Sequence, residues 1–273
     1  MTMSASELER LLEVALGAAR DAAKLLQGAR PAEIRAKGTP KDLVTEWDHK
    51  SEALIRERLT SGTPDIPIVG EEGGGAGGAR RWLVDPIDGT VNFAHGLPLW
   101  AISIGLEDDE RPMVGVVCAP ALHWTFWAWR GGGAFVDEGH GANAMHVSAA
   151  SSIDRALLVT GFPYDRATSP HNNFAQWEHF QRKAGACRRL GAAALDLALV
   201  ARGAFDGYWE RKLQPWDTCA GALLVEEAGG RVTDTRGGRF LPQAGEAVAT
   251  NGAIHDELLA ELAMADASQE RTS

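Results

Sequence analysis

The segment Trp82-Leu83-Val84-Asp85-Pro86-Ile87-Asp88-Gly89-Thr90 limits what this chain can become more than any other stretch of it. Trp82 to Val84 read as a short buried strand, and that strand runs straight into two carboxylates, a proline, a glycine and a hydroxyl. Asp85 sits where the strand stops, and Pro86 and Gly89 force the chain to turn. A fold that buries this strand must therefore deliver two acids to the end of a sheet. Carboxylates held on a stiff turn are hard oxygen donors, suited to Mg²⁺ rather than to a softer metal. Taken alone, the same residues also make an ordinary acidic surface turn, because Asp, Pro and Gly are common in turns.

The pattern around this segment alternates helices and strands. Ser6 to Leu26 carries a helical stripe (Leu8, Leu11, Leu12, Ala15, Leu16, Ala19, Ala22, Ala23), with Ser4 or Ser6 as the cap and Gly28 as the stop. A basic connection from Arg35 to Lys41 leads to a second helix over about Thr45 to Leu59. The glycine tract Gly73 to Gly78 reads as a mobile surface loop. Strand-like runs follow at Leu99–Leu106, Met113–Cys118, Trp124–Trp129 and Ala134–Val136, and their short turns predict an antiparallel meander. Beyond residue 150 come a strand at Leu157–Thr160, helices at Asn172–Lys183, Ala192–Ala201 and Asp217–Ala228, and strands at Arg231–Thr235 and Ala247–Thr250. A last helix is expected over Ile254–Ala263, with a frayed polar end from Asp266 onward. The class is α+β, in layers, with a change of character near residue 150 and no linker that separates independent domains.

Charge narrows the function. The net charge is -10 over 273 residues, which argues against nonspecific binding to nucleic acid or an anionic membrane. An anionic substrate is repelled as well, unless a bound cation reverses the local sign. Cys118, Cys187 and Cys219 lie far apart without CxxC spacing and read as reduced thiols of a cytoplasmic protein. No run is long and apolar enough for a membrane span, and the N-terminus shows no signal pattern.

Three acidic islands share one arrangement, an apolar run followed by acids and a turn or helix start. They are Glu71-Glu72 after Ile68-Val69, Asp85 and Asp88 after Leu83-Val84, and Asp217 after Pro215-Trp216. Asp217 could equally be the N-cap of the small-residue helix that follows, and Glu71-Glu72 a solvated turn. Thr90 caps its own segment or, beside metal carboxylates, orients a water. Asp48 reads as a surface acid on a helix, and His95 as a structural hydrogen-bonding residue. The histidines form no HxxxH or HExxH pattern, so a zinc hydrolase is disfavoured, and no P-loop, GxGxxG or GxSxG motif is present.

Together the islands resemble the signatures of the inositol monophosphatase family. The carriers are Gly70-Glu71-Glu72, the run from Trp82 to Thr90 with Val91-Asn92-Phe93, and Trp216-Asp217-Thr218-Cys219-Ala220-Gly221. Lys37-Gly38, Asp42-Leu43-Val44-Thr45-Glu46-Trp47-Asp48 and Glu226-Glu227-Ala228-Gly229-Gly230 support them, in order from about residue 8 to residue 262. The resemblance implies an αβαβα sandwich, one phosphatase unit over 1–273 with a metal-binding lobe (about 1–150) and a substrate lobe (about 151–265). It implies two to three Mg²⁺ ions, a small phosphorylated polyol as substrate, lithium sensitivity and a cytoplasmic homodimer. By matching positions, Glu71, Asp85 and the Ile87 carbonyl hold one Mg²⁺, while Asp85, Asp88 and Asp217 hold a second. Glu71 helps with a third, weaker ion. Thr90, supported by Asp48 and beside Glu71, orients the water nucleophile, and the Gly89 and Thr90 amides hold the phosphate. Substrate hydroxyls map to Asp88, Ala193, Glu210 and Asp217. Ala192 departs from the family's usual Ser or Thr, which loosens the expectation of inositol as substrate. Asn92-Phe93-Ala94-His95-Gly96 is closer to the inositol branch than to the nucleotide branch. Histidinol phosphate, fructose 1,6-bisphosphate and a regulatory role toward transcription or ribosome partners remain as alternatives.

Overall fold

The computed structural model describes residues 3–270. Helix α1 (Ala5–Leu26) is capped by Ser4, whose Oγ accepts from the Glu7 amide at 3.2 Å, and it buries one stripe from Leu8 to Leu26. Gly28, at φ +72°, takes the left-handed conformation that ends the helix. The basic connection from Arg35 to Lys41 lies in a hairpin of β1 (Ile34–Ala36) and β2 (Leu43–Thr45). Thr45 then caps α2 (Glu46–Gly62), which buries an unusually polar face made of Asp48, Ser51, Glu52, Ile55 and Leu59.

Seven strands form the first sheet in chain order: β3 (Ile68–Gly70), β4 (Arg80–Asp88), β5 (Ala101–Asp108), β6 (Arg111–Ala119), β7 (Trp124–Trp129), β8 (Gly133–Asp137) and β9 (Ala142–Ala144). β3 runs parallel to β4, and every later pair is antiparallel, as the meander predicts. β4 does not stop at Asp85. Its ladder with β5 pairs Asp85 with Ser103, shifts register, and resumes at Asp88 opposite Ala101. Pro86 cannot donate to the ladder, so the chain bulges there and turns its acids away from regular pairing. The short helix α3 (Thr90–Ala94) follows at once.

The second sheet has the order β11-β10-β12-β14-β13. Its strands are β10 (Leu157–Thr160), β11 (Ala186–Arg188), β12 (Gly207–Arg211), β13 (Arg231–Thr233) and β14 (Glu246–Thr250), and the helices of this half are α4 (Phe174–Lys183), α5 (Ala193–Ala201), α6 (Pro215–Glu227) and α7 (His255–Glu270). One apolar core joins α1 and α2 to the first sheet, a second fills the space around α5 and α6 between the sheets, and a third joins α4 and α7 to the second sheet. The layers are therefore α, β, α, β, α.

Small residues allow the central layer to close. A Cβ on Gly105 would stand 2.7 Å from Cys219 Sγ, one on Gly115 2.8 Å from the Ala220 carbonyl oxygen, and one on Gly221 2.5 Å from Leu197 Cβ. Gly105 and Gly115 are cross-strand partners, so α6 lies almost against the backbone of β5 and β6. The C-terminal helix does not fray at Asp266. It continues to Glu270, and Asp266 accepts from Arg211 Nη1 and Nη2 at 3.0 and 2.6 Å. Arg271 to Ser273 lie outside the described residues. The cysteines Cys118, Cys187 and Cys219 are buried and unbridged.

Candidate active site

Helix starts and the β4 bulge supply the acids. Asp48 is the third residue of α2, and its Oδ2 accepts from the Thr45 amide at 2.7 Å and the Thr45 hydroxyl at 2.6 Å. This is a capping box, so the helix end itself fixes the carboxylate. Far from being a surface acid, Asp48 is fully buried, and its Oδ1 lies 3.0 Å from the Thr90 hydroxyl. Asp217 repeats the arrangement on α6. It is not the N-cap but the third helical residue, accepting from the Gln214 amide at 2.7 Å, because the helix already begins at Pro215.

Asp88 crosses to the second half of the chain. Its carboxylate accepts from the amides of Ala193 (3.1 Å), Ala194 (2.7 Å) and Leu195 (3.4 Å), the first turn of α5. Unpaired amides at a helix start are ready donors for an anion. Asp85 Oδ1 accepts from the Ile87 amide at 2.9 Å. Gly89, at φ +88°, precedes α3 in a left-handed conformation, and a Cβ there would stand 3.0 Å from Ala192 Cβ. The Thr90 hydroxyl faces the Ile87 carbonyl as well as Asp48, both at 3.0 Å.

These groups meet in a cleft of about 440 Å³, lined among others by Glu71, Asp85, Ile87, Asp88, Gly89, Thr90, Ala193, Glu210 and Asp217. Asp48 stands behind Thr90. Glu71 and Glu72 do not form a freely solvated turn, since Lys37 Nζ donates to Glu71 at 2.7 Å and to Glu72 at 2.5 Å. His95 is exposed, and its ring has no hydrogen-bond partner among the described residues, so the structural role expected of it is not found. Its neighbour Asn92 does that work, donating from Nδ2 to the Leu99 and Leu190 carbonyls at 2.6 and 2.9 Å.

Burial raises the carboxyls of the cleft. Asp85 is pushed well above the usual carboxylate range by desolvation first, then by the charges of Glu71, Asp88 and Asp217. Asp217 is raised in the same way by burial, Glu71 and Asp88. Desolvation lifts Asp88 to about 7 although three amides oppose it, and lifts Glu210 to about 7 against the Tyr208 hydroxyl that donates to it at 2.9 Å. Asp48 is also raised by burial, in spite of its hydroxyl and amide donors. Burial alone would lower Lys37, but Glu71 and Glu72 outweigh it and hold the ammonium charged.

An all-oxygen donor set with mutually repelling charges, already drawing in one ammonium, fits a hard divalent cation. As the side chains stand, no three His, Cys, Asp or Glu among the described residues converge closely enough to enclose an ion. Closing a shell would require the carboxylates to move.

The inositol monophosphatase family matches residues 7–267 of the chain. The chain belongs to the inositol monophosphatase family. It is a phosphoric monoester hydrolase. The inositol-1-monophosphatase of Synechocystis sp. is 40% identical over 265 residues, spanning 95% of this chain and 91% of that protein. The solved inositol monophosphatase of Anabaena (Nostoc) sp. PCC 7120 superposes with a TM-score of 0.85 at 40% identity, covering 94% of this chain and 96% of that one. An IMPase of Thermotoga maritima gives the same TM-score at 33% identity, covering 94% and 98%. The five-layered sandwich is the fold of these relatives. Members of the family are generally metal-dependent.

Reasoning from sequence assigned no role to Lys37 or to Glu52. Lys37 sits in a segment quoted only for its resemblance. Glu52 is 3% exposed and accepts from the amides of Glu72 and Gly73 at 2.7 and 2.9 Å. The one available signal was its helical spacing from Asp48, which puts both on the same face of α2.

Proposed function

We propose that the protein hydrolyses inositol monophosphate, or a closely similar polyol phosphate, with the help of Mg²⁺. The reading is carried by the convergence of Asp85, Asp88, Asp217 and Glu71 with the Thr90–Asp48 pair in one cleft of a family hydrolase. Glu71, Asp85 and the Ile87 carbonyl would hold one Mg²⁺, and Asp85, Asp88 and Asp217 a second, with Glu71 helping a third. Bound there, the ions would neutralise the substrate phosphate and lower the pKa of water at the site. Most of these ligands precede residue 150, but Asp217 comes from the second half, so the cation site draws on both halves of the chain.

The chain's own groups do the rest. Thr45 pins Asp48 Oδ2 and leaves Oδ1 to take the Thr90 hydrogen. The Thr90 oxygen is then an acceptor toward a water in the cleft, and the water's proton has a path through Thr90 Oγ1 to Asp48 Oδ1. The Gly89 and Thr90 amides would receive the phosphate oxygens. Asp88, Ala193, Glu210 and Asp217 would receive the hydroxyls of the alcohol. Glu210, titrating at about 7, can donate to a hydroxyl or accept from it. Ala192 adds no hydroxyl, so the site's preference among polyols rests on fewer contacts.

The protein in this proposal is a cytoplasmic homodimer without nucleic-acid or membrane partners. Among the described residues no helix is long and apolar enough to cross a membrane. A panel of inositol 1-phosphate, histidinol phosphate, fructose 1,6-bisphosphate and adenosine 3′,5′-bisphosphate with Mg²⁺ tests the substrate, and the highest kcat/KM is expected for the first. A higher value for any other ester reassigns the substrate, and turnover of none favours the regulatory alternative. Li⁺ in the millimolar range is expected to inhibit by displacing Mg²⁺.

A further inference from the structure

Glu71 projects from a turn that has two anchors. On one side its amide donates to the Val84 carbonyl at 3.1 Å, one residue before Asp85. On the other side stands Glu52 of α2. Glu52 Oε2 accepts from the Glu72 amide at 2.7 Å, and Oε1 accepts from the Gly73 amide at 2.9 Å and from Arg56 Nε at 2.6 Å. Arg56 also donates to the Ile68 carbonyl at 3.3 Å and to the Gly74 carbonyl. The approach is close enough to exclude side chains, because a Cβ on Gly70 would lie 2.5 Å from the Glu52 carboxyl carbon, and one on Gly73 2.6 Å from Oε1.

We propose that Glu52 is a positioning residue that sets how tightly the cleft holds a divalent cation, by fixing the turn from which Glu71 projects. The proposal rests on the metal-dependent reading above. Glu52 is not itself a ligand, since two backbone amides and a guanidinium already occupy its oxygens. It shares α2 with Asp48, which grips Thr90, and with Ser51, whose hydroxyl donates to the Pro86 carbonyl at 3.2 Å. One helix therefore indexes the Glu71 turn, the β4 bulge and Thr90 against one another. Glu71 would be a ligand in that reading, and a fixed turn lowers the ordering cost of presenting its carboxylate.

The replacement Glu52→Gln keeps the size but sets an amide NH₂ against one of the donors it now receives. Calorimetric titration of Mg²⁺ into chelator-stripped wild type and E52Q should show affinity weakened about tenfold, the scale of outer-sphere partners of metal ligands. Turnover of E52Q should recover once Mg²⁺ saturates. Equal Mg²⁺ affinity in the two proteins overturns the proposal, whatever happens to turnover. The control is Leu59→Ala, a buried residue of the same helix remote from the turn, which should lower Tm without weakening Mg²⁺ binding; an equal loss of affinity there also overturns it. If E52Q does not fold, Glu52→Asp carries the same test, because it retains the charge but withdraws the carboxylate by one methylene. Wild type that binds no Mg²⁺ removes the metal-dependent reading itself, a different result from wild type and E52Q binding it alike.

Discussion

Asp85→Asn separates what the acid cluster does for the fold from what it does for the reaction. Asn keeps the oxygen that accepts from the Ile87 amide at 2.9 Å, so the bulge retains its internal bond. What disappears is a buried charge that desolvation, Glu71, Asp88 and Asp217 all disfavour. Asp88 gives the scale. Its rise from 3.8 to about 7 amounts to roughly 4 kcal/mol for holding one such carboxylate charged above that pH. Relaxation and water entry reduce what a substitution recovers, so the expected gain for metal-free Asp85→Asn is about 2 kcal/mol at alkaline pH. The sign follows from linkage. A carboxyl raised in the folded state binds its proton more tightly there than in the unfolded chain, so its contribution is present at acid pH and is lost as pH rises from about 4 through its raised folded value. The variant's advantage should therefore be near zero around pH 4 and grow as pH rises above the ordinary carboxylate range. Urea unfolding in chelator across that range measures it. With Mg²⁺ present, turnover should fall on the order of a thousandfold or more, because the carboxylate proposed to serve two cation positions is gone. A variant less stable than wild type in chelator above neutrality refutes the electrostatic account, and near-normal turnover refutes the assignment of Asp85.

Asp48→Asn should reduce kcat about 100- to 10,000-fold, as loss of a proton acceptor does, while changing urea stability by only about 1 kcal/mol because an amide oxygen still serves the Thr45 cap. Glu210→Gln should abolish the inflection near pH 7 expected in KM for a polyol phosphate, since Glu210 titrates at about 7, and steady-state kinetics over pH will show it. His255, buried between the Thr233 and Thr250 hydroxyls, is lowered to about 4 by burial and by Arg231. Its native site refuses a proton that the unfolded chain accepts, so it should cost up to about 3 kcal/mol of stability as pH falls from about 6.5 toward 4; His255→Gln should flatten that limb in thermal melts. Gly115→Val should destabilise by about 3 kcal/mol or more, because its Cβ would meet the Ala220 carbonyl at 2.8 Å, and a lower urea midpoint will report it.

Local chemistry made several elements legible. The α1 stripe and its serine cap, the alternation that gives β5 to β8, and the strand that meets Asp85 are written in neighbouring residues. The order of the acidic islands carries the family resemblance. Polar burial is not legible in the residue pattern. As an acid on a helix Asp48 reads as a surface residue, yet the buried side of α2 is largely Asp48, Ser51 and Glu52. Hydrophobic periodicity cannot find a face whose burial is supported by hydrogen bonds rather than by apolar area. Asp266 reads as part of a loose tail, and contacts with Arg211 and Gln176 make it a fixed partner.

By itself, then, the sequence determined that the chain is layered, that β4 ends in acids, and which family it joins. The tertiary structure decided where those acids point. Asp88 receives amides more than a hundred residues away, Asp48 reaches Thr90 across 42 positions, and Glu52 clamps a turn 20 residues on. Such bonds depend on how packed elements bring distant backbone donors together, a geometry that no local residue pattern encodes.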